Sequence, residues 1–558
     1  MPHPKQHIVD LAEICRIKGI DRVVISPGSR SAPLIKSFVN TFGESCISIV
    51  DERSAAFYAL GIALVTQYPV ALICTSGTAL LNYAPALAEA YYQKVPLLAL
   101  TADRPSEWID QQENQTLRQS GIFSNYIKGS YVLPQVITNE DDLWYAHRII
   151  NEAIDLSSHG DKGPVHINIP LTEPLYEDLP RASGNIRIIR QASPDISLRL
   201  PDDLIREWHA AKSILIIHGQ DIPDTETALL LRSLSSSRRI AVVAENIANV
   251  PGESIVSNSN LLLSKSRGHS PPYPDLILHS GGHVVSKALA GYLRRAPRLN
   301  CWRIGTDKGI IDTFRLATLT IPYPAAAVYR ALGASENQQP GSDYRENWLT
   351  LMTRANELAS EMMDHVPFSD LLVFQRIMNL IPPGSILALG NSSIIRYSQL
   401  FITDAKVKYY ANRGVSGIDG CLSTAAGIAF ASKQPTLAFV GDLGFLYDSN
   451  ALWNRELPAG LKIVLINNGG GGIFHILKGP SGDPGFTRFI EANHPVNIPK
   501  LADAFGLDYY LAQDEPSLMA RWDQFISDPG RAALLEVRTD AGISAAAFRQ
   551  LMDSSKET

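Results

Sequence analysis

Short apolar runs recur along the chain, each ending in a polar or glycine-bearing turn and followed by a longer stretch with helical spacing. Residues 23–25, 47–50, 70–74 and 97–100 are such runs near the N-terminus, and their length and enrichment in Val, Ile and Leu predict buried strands. Between them the apolar positions fall at three- and four-residue intervals. Ile8, Leu11, Ile14 and Cys15 share one face of a helix that starts near Pro4 and stops at Gly19. Further helices are predicted from Ala32, from Ser54 to Val65, and from the turn Thr75-Ser76-Gly77-Thr78 through Tyr92. Strands alternating with helices at this rhythm predict an α/β fold with a parallel, doubly wound sheet. In such sheets chemistry gathers in turns beyond the carboxyl ends of strands, here Ser26-Pro27-Gly28-Ser29-Arg30, Asp51-Glu52 and Thr101-Ala102-Asp103-Arg104-Pro105.

The same rhythm returns twice. Residues 214–217, 240–244, 276–279 and 301–304 form a second set of runs, and 437–440 with 463–466 belong to a third. A linker bearing Pro and Arg follows the run at 164–170, and a polar stretch at 333–343 marks a second boundary before a helix near Trp348. A chain of 558 residues is too long for one core, and these breaks divide it into units 1–185, 186–343 and 344–558.

The first and third units are related. A shift of 366 positions lays Ala59-Leu60-Gly61-Ile62-Ala63 on Ala425-Ala426-Gly427-Ile428-Ala429, and Pro69 on Pro435. The turn Thr75-Ser76 then falls on Gly441-Asp442, and Thr101-Ala102 on Asn467-Asn468. Identities are few, but the predicted element boundaries coincide from Ala59 to Ala102, which points to two copies of one fold.

Composition narrows the classes. The chain is 45% hydrophobic with a net charge of −6 and no long basic run, which argues against a nucleic-acid surface. Five scattered cysteines without a CxxC pair fit reduced thiols in a cytoplasmic protein. The N-terminus does not read as a signal peptide, and no apolar run approaches the length of a membrane span.

The stretch with the most chemistry runs from Gly441 to Asn468. Gly441-Asp442 ends one apolar run, Asn467-Asn468 ends the next, and 24 residues separate Asp442 from Asn467. Gly469, Gly470, Gly471 and Gly472 follow at once. An Asp and an Asn on adjacent strand ends offer hard oxygen ligands to Mg²⁺, and a glycine-rich turn leaves its backbone free to approach a diphosphate. Two βα turns of an ordinary sheet use the same residue types. The spacing nonetheless resembles the thiamine-diphosphate (ThDP) signature, a Gly-Asp followed about two dozen residues later by Asn-Asn. Enzymes of that build use a glutamate in the pyrimidine-binding domain to promote the reactive tautomer of a cofactor whose diphosphate the other domain holds. The resemblance gives that role to Glu52; position alone would leave it a helix N-terminal acid. It further implies a homodimer or a dimer of dimers, because the two domains usually belong to different subunits.

Several turns resemble one ThDP family in particular, the 2-succinyl-5-enolpyruvyl-6-hydroxy-3-cyclohexene-1-carboxylate (SEPHCHC) synthases. They are Ser26-Pro27-Gly28-Ser29-Arg30-Ser31, Asp51-Glu52-Arg53, Thr101-Ala102-Asp103-Arg104-Pro105, Asn114-Gln115 and the 412–420 segment, Asn-Arg-Gly-Val-Ser-Gly-Ile-Asp-Gly. The family decarboxylates 2-oxoglutarate and adds the resulting succinyl carbanion equivalent to isochorismate in 1,4 fashion. Both substrates carry two carboxylates, and arginine offers each a bidentate fork. The resemblance implies Ser392 and Arg396 at the succinyl end, and Ser29, Arg30, Gln115, Lys287 and Arg413 around isochorismate, with Arg104 a further substrate cation. It implies Asp442, Asn468 and the Gly470 carbonyl as ligands of Mg²⁺, with Mn²⁺ as an alternative metal. It also places Gly441, Leu443, Gly471, Ile473 and Phe474 against the cofactor, Ile418 under its bend, and Phe474 with Leu477 as pocket wall.

The chain departs from the family in two places: Ala288 follows Lys287 where Arg is frequent, and Gly469 stands where a third Asn often follows the pair. His475 has no neighbours that support an acid–base role and is assigned to structure. The alternatives are another ThDP-dependent 2-oxoacid decarboxylase or carboligase, such as an acetohydroxyacid-synthase-like enzyme, and a nucleotide-binding or regulatory protein that kept the duplicated fold without catalysis. A Rossmann dehydrogenase is disfavoured, since no strand leads into a G-x-G-x-x-G turn.

Overall fold

Three six-stranded sheets, parallel throughout, form the frame of the molecule. The computed structural model describes residues 2–192, 197–266, 269–307, 309–336, 342–401, 403–404, 406–476, 485–528 and 530–552. The first sheet contains β1 (Val23–Ile25), β2 (Cys46–Ser48), β3 (Val70–Cys74), β4 (Leu97–Asp103), β5 (Ser130–Val132) and β6 (Val165–Pro170), in the order β2-β1-β3-β4-β6-β5. The second contains β7 (Ile214–His218), β8 (Ile240–Ala244), β9 (Ile255–Val256), β10 (Leu276–Ser280), β11 (Asn300–Ile304) and β12 (Leu319–Ile321), in the order β12-β11-β10-β7-β8-β9. The third contains β13 (Ile386–Leu389), β14 (Lys408–Ala411), β15 (Thr436–Gly441), β16 (Leu461–Asn467), β17 (Asp508–Ala512) and β18 (Ala533–Arg538), in the order β14-β13-β15-β16-β18-β17.

The first and third orders are the same, strand for strand, so the internal repeat is a repeat of topology. Its register has drifted. Val70 faces Leu97 across β3 and β4, while Thr436 faces Leu461 across β15 and β16, two positions short of what the ungapped shift of 366 requires. A slip of two keeps every side chain on its own face of the sheet, whereas a slip of one would turn the core outward.

Elsewhere the elements differ in detail from the sequence pattern. β4 runs on through Thr101, Ala102 and Asp103 because β6 pairs with them, Thr101 to Asn168 and Asp103 to Pro170. The turn at Thr75 does not open one continuous helix. A 3-10 stretch, Gly77–Tyr83, comes first, and the α-helix Ala84–Gln93 begins with Pro85 in its first turn, where a residue lacking N–H costs nothing. The second predicted strand is shorter, and Val50 is exposed.

The helices Glu52–Thr66 and Cys421–Ser432 join the first and third units. A Cβ on Gly61 would lie 2.2 Å from Thr424 O, and one on Gly427 would lie 2.0 Å from Tyr58 O. Backbone therefore rests on backbone at this crossing, and both helices are buried along most of their length. Their alanines belong to one apolar cluster with Val70, Leu72, Ala438 and Val440 of the two sheets. Among the described residues no helix is long and apolar enough to cross a membrane.

Candidate active site

β15 delivers Asp442 to the first position of the helix Asp442–Tyr447, and β16 ends at Asn467 beside it. Asp442 is buried. Its Oδ2 accepts the N–H groups of Gly469 (2.8 Å) and Gly470 (2.9 Å), its Oδ1 accepts Leu443 N–H (2.6 Å), and His494 Nε2 lies 3.4 Å from Oδ2. Burial pushes this carboxyl above its ordinary range, against the pull of the Leu443 N–H and of His494. Gly469 has φ +87°, a left-handed conformation that suits glycine, and a side chain on Gly470 would meet Glu491 O at 2.8 Å.

Asn468 is held from one end only. Its Nδ2 donates to Asp370 Oδ2 at 3.0 Å, and Asp370 also accepts Thr539 Oγ1–H (2.6 Å) and Ser544 Oγ–H (3.1 Å). Among the described residues, Asn468 Oδ1 is buried with no hydrogen-bond partner. An amide whose donor end is fixed and whose buried oxygen has no partner is poised for a cation, since leaving that oxygen unpaired costs about 1–3 kcal/mol. Asp442, Asn468 and Gly470 line one cavity, and their carboxylate, amide and carbonyl oxygens are the hard donors that Mg²⁺ would take alongside phosphate oxygens. The residues present therefore fit a metal-bound diphosphate.

A cavity of about 200 Å³ opens beside this set. Ile418, Gly441, Asp442, Leu443, Asn468, Gly470, Gly471, Ile473 and Phe474 all line it, together with Asn391 and Ser392. Leu477 lies outside the described residues. Among the described residues, every one that lines the cavity comes from the third unit.

Glu52 is elsewhere. It opens the helix Glu52–Thr66 behind the cap residue Asp51, and burial raises its carboxyl, with Asp51 adding to the rise. Its neighbours dock on the far end of the helix that Asp442 begins. Asp51 accepts from Asn450 Nδ2 (2.6 Å), Arg53 Nη2 donates to Tyr447 O (2.7 Å), and its guanidinium sits 4.8 Å over the Tyr447 ring.

The four predicted substrate arginines fall into two pairs, and Lys287 stands apart. Arg30 and Arg104 meet at the ends of the first sheet. Arg30 is buried, donates to Leu171 O (3.1 Å) and pairs with Glu173 (3.2 Å); burial and then Arg104 lower its pKa. Arg104 lies 3.6 Å from Glu113. Ser29 is exposed on a shallow groove nearby, and Gln115 (φ +54°) is exposed with its backbone against Gly77. The second pair adjoins the cavity. Arg396 Nη1 donates to Ser392 O (2.5 Å), and Arg413 Nη1 donates to Asn391 Oδ1 (2.7 Å). Lys287 is exposed at the first position of the helix Lys287–Arg294 in the middle unit. A single chain thus brings Arg396, Arg413 and Ser392 to the cavity and does not bring Glu52, Arg30 or Arg104 into its lining.

Residues 9–122 match the thiamine pyrophosphate enzyme N-terminal TPP binding domain, and residues 389–537 match the C-terminal TPP binding domain. A SEPHCHC synthase of Desulfotalea psychrophila is 42% identical over 510 residues, 90% of this chain and 93% of the relative. Those of Flavobacterium psychrophilum and Bacteroides fragilis are 37% and 38% identical, covering 98% and 92% of both chains respectively. The chain belongs to the SEPHCHC synthase family.

Within this family member, several residues that hold the site carry little sequence signal. Asp370 reaches Asn468 from 98 positions away, and nothing local distinguishes it from any helix N-terminal acid. Glu89 accepts the N–H groups of Gly414 (2.5 Å) and Val415 (2.8 Å), fixing the Arg413 segment from the first unit. Asn391 donates to Asn412 O and Gly417 O, both at 2.7 Å. Its place in the polar turn Gly390-Asn391-Ser392-Ser393, just past the apolar run of β13, is a signal that could have found it. His475 pairs with Glu491 at 2.8 Å.

Proposed function

We propose that this chain is a ThDP- and Mg²⁺-dependent SEPHCHC synthase of menaquinone biosynthesis, joining 2-oxoglutarate to isochorismate with loss of CO₂. The observation that carries this reading is the pair of guanidinium groups, Arg396 and Arg413, each one hydrogen bond from a residue that lines the Asp442 cavity. Bound ThDP supplies the carbanion-stabilising centre. The chain's own residues hold and orient: Asp442, Asn468 and the Gly470 carbonyl hold the metal, and Ile418, Ile473 and Phe474 wall the cofactor with Gly441, Leu443 and Gly471. Arg396 and Ser392 take the carboxylate of the succinyl donor. Arg413, Lys287 and Gln115, with Arg30 and Ser29, lie around the acceptor, and Arg104 is a further cation for the substrates. An acetohydroxyacid-synthase-like reaction is not favoured, because small monoanionic substrates do not call for two pairs of arginines.

The working unit in this reading is a homodimer, alone or paired into a dimer of dimers. Its support is that, among the described residues, the cavity is lined from the third unit alone, which leaves the proton-handling carboxyl, Glu52, to come from a second copy. We place the unit boundaries near residues 185 and 343 and the enzyme in the cytoplasm, the latter supported by five free cysteines.

The decisive assay incubates the purified protein with ThDP, Mg²⁺ and 2-oxoglutarate, with and without isochorismate, and follows CO₂ release and isochorismate loss. Both should occur, with isochorismate accelerating turnover. ThDP binding with inert 2-oxoglutarate would remove the substrate assignment and leave the cofactor assignment standing.

A further inference from the structure

In the middle sheet, the chain reverses its direction of winding between β10 and β7, the place where open α/β sheets usually open a ligand crevice. Here the two strand-end turns close on each other. Gly219 N–H donates to Ser280 O (2.9 Å), Gly282 N–H to Gln220 O (2.8 Å) and Gln220 N–H to His283 O (2.9 Å). A Cβ on Gly219 would lie 2.2 Å from Gly282 O, so the contact tolerates no side chain there. The closed turns make a platform tied to both other units, for Gln220 Nε2 donates to Gln93 Oε1 (2.9 Å) and to Ala411 O (2.8 Å). Just beyond, the buried carboxylate of Glu245 accepts the N–H groups of Val285 (2.6 Å) and Ser286 (2.7 Å).

His283 sits between these fixed points, and its ring faces Arg413. Arg413 Nη2 lies 3.2 Å from its Nδ1 and 3.3 Å from its Nε2. A guanidinium carries donors and no acceptor, so a neutral imidazole receives it, and Nη2, almost equally far from both ring nitrogens, is shared between them rather than aligned on one. The other nitrogen of the fork, Nη1, is taken by Asn391. His283 is exposed on one side, and partial desolvation of its ring, followed by the charges of Arg413 and Arg396, pushes its pKa down to about 4, which keeps the ring neutral beside the guanidinium at neutral pH.

We propose that His283 is a positioning residue for Arg413, through which the middle unit aims the guanidinium at a carboxylate of the acceptor substrate. This rests on the substrate assignment made above. The test compares wild type with His283→Leu, which keeps bulk without an acceptor, and His283→Gln, whose amide oxygen can accept from Arg413. In His283→Leu the KM for isochorismate should rise about ten-fold, the size expected for a lost hydrogen bond to a charged group. The KM for 2-oxoglutarate, the ThDP affinity and kcat should stay within about two-fold, and His283→Gln should recover most of the loss. An unchanged isochorismate KM in His283→Leu, or equal damage in both variants, would overturn the inference and leave the enzyme's assignment intact. A wild-type protein that binds ThDP but does not turn over the substrate pair would overturn the assignment and this inference with it. Where His283→Leu fails to fold, His283→Ala takes its place: a rise of about ten-fold in isochorismate KM that His283→Gln does not share upholds the role, and an unchanged KM in His283→Ala removes it.

Discussion

The first and third units are two answers to one geometry. In each, the strand corresponding to β3 or β15 ends beside the one corresponding to β4 or β16, and a side chain spans the gap between the strand ends. In the first unit that side chain is Gln119, wholly buried. It accepts Gly77 N–H (3.0 Å) and donates to Ala102 O (3.0 Å) and Asn168 Oδ1 (2.9 Å). In the third it is Asp442, which accepts from Gly469 and Gly470 and stands beside the unpartnered Asn468 oxygen. A neutral amide with both ends satisfied closes the crevice and rigidifies it. A carboxylate beside a buried oxygen without a partner leaves the crevice with an unsatisfied acceptor that a cation would satisfy. The same topology thus serves as scaffold in one copy and as receptor in the other, and what decides is a few side chains at two strand ends.

The largest effect should come from removing the charge that makes the third copy different. Asp442→Ala takes away one of the oxygens proposed to hold the metal and the acceptor of the Gly469 and Gly470 N–H groups. Turnover should fall by roughly 10³-fold or more, about 4 kcal/mol of lost stabilisation, and Mg²⁺-dependent ThDP binding should collapse in a titration. Glu52→Gln comes next. The variant should bind ThDP like the wild type and lose roughly 10²–10³-fold in kcat, the usual scale for a lost acid–base group. A fully active Glu52→Gln protein would remove Glu52 from the chemistry.

These residues differ in how readable they were from sequence. Asp442 and Asn468 announce themselves because each ends a continuous apolar run, the mark of strands buried on both faces, and β15 and β16 are buried along nearly their whole length. Glu52 follows a strand in the same way, but an acid at a helix start is ordinary, so only the family resemblance singles it out. The edge strands β5 and β17 left no run to read, since β5 is partly exposed and four of the five residues of β17 are only half-buried. Asp370 and Glu89 were invisible for a different reason. Each acts on a segment far away in sequence, and no local pattern encodes a contact that the assembled fold alone creates.

Asp370 offers a smaller but sharper break in the comparison. It fixes the Asn468 amide so that the oxygen, rather than the nitrogen, is left unpaired. Asp370→Asn retains the size and can present a donor where Asn468 needs an acceptor, which favours rotation of the Asn468 amide. Affinity for Mg²⁺ in the presence of ThDP should fall by about 10–100-fold, as for other groups that orient a metal ligand. Excess Mg²⁺ should restore most of the turnover. Failure of high Mg²⁺ to restore it would mean that Asp370 acts on folding instead.

The smallest expected effect on activity tests the other copy. Gln119→Leu preserves the apolar bulk and strips the first crevice of its bridge, leaving the Gly77 N–H and the Ala102 carbonyl buried without that partner. Asn168 Oδ1 keeps the hydroxyl of Thr101 at 3.0 Å, so the damage concentrates on two backbone groups. At about 1–2 kcal/mol for each, the loss is about 2–4 kcal/mol, and because several units unfold in this chain it should appear as an earlier first thermal transition rather than one shifted Tm. ThDP affinity should change by less than about three-fold, since the described lining of the Asp442 cavity comes from the third unit alone. A fall in ThDP affinity with unaltered thermal unfolding would reverse the division of labour between the copies. It would mean that Gln119 keeps a ligand-facing turn in shape, and that the first crevice is closed for recognition rather than for rigidity.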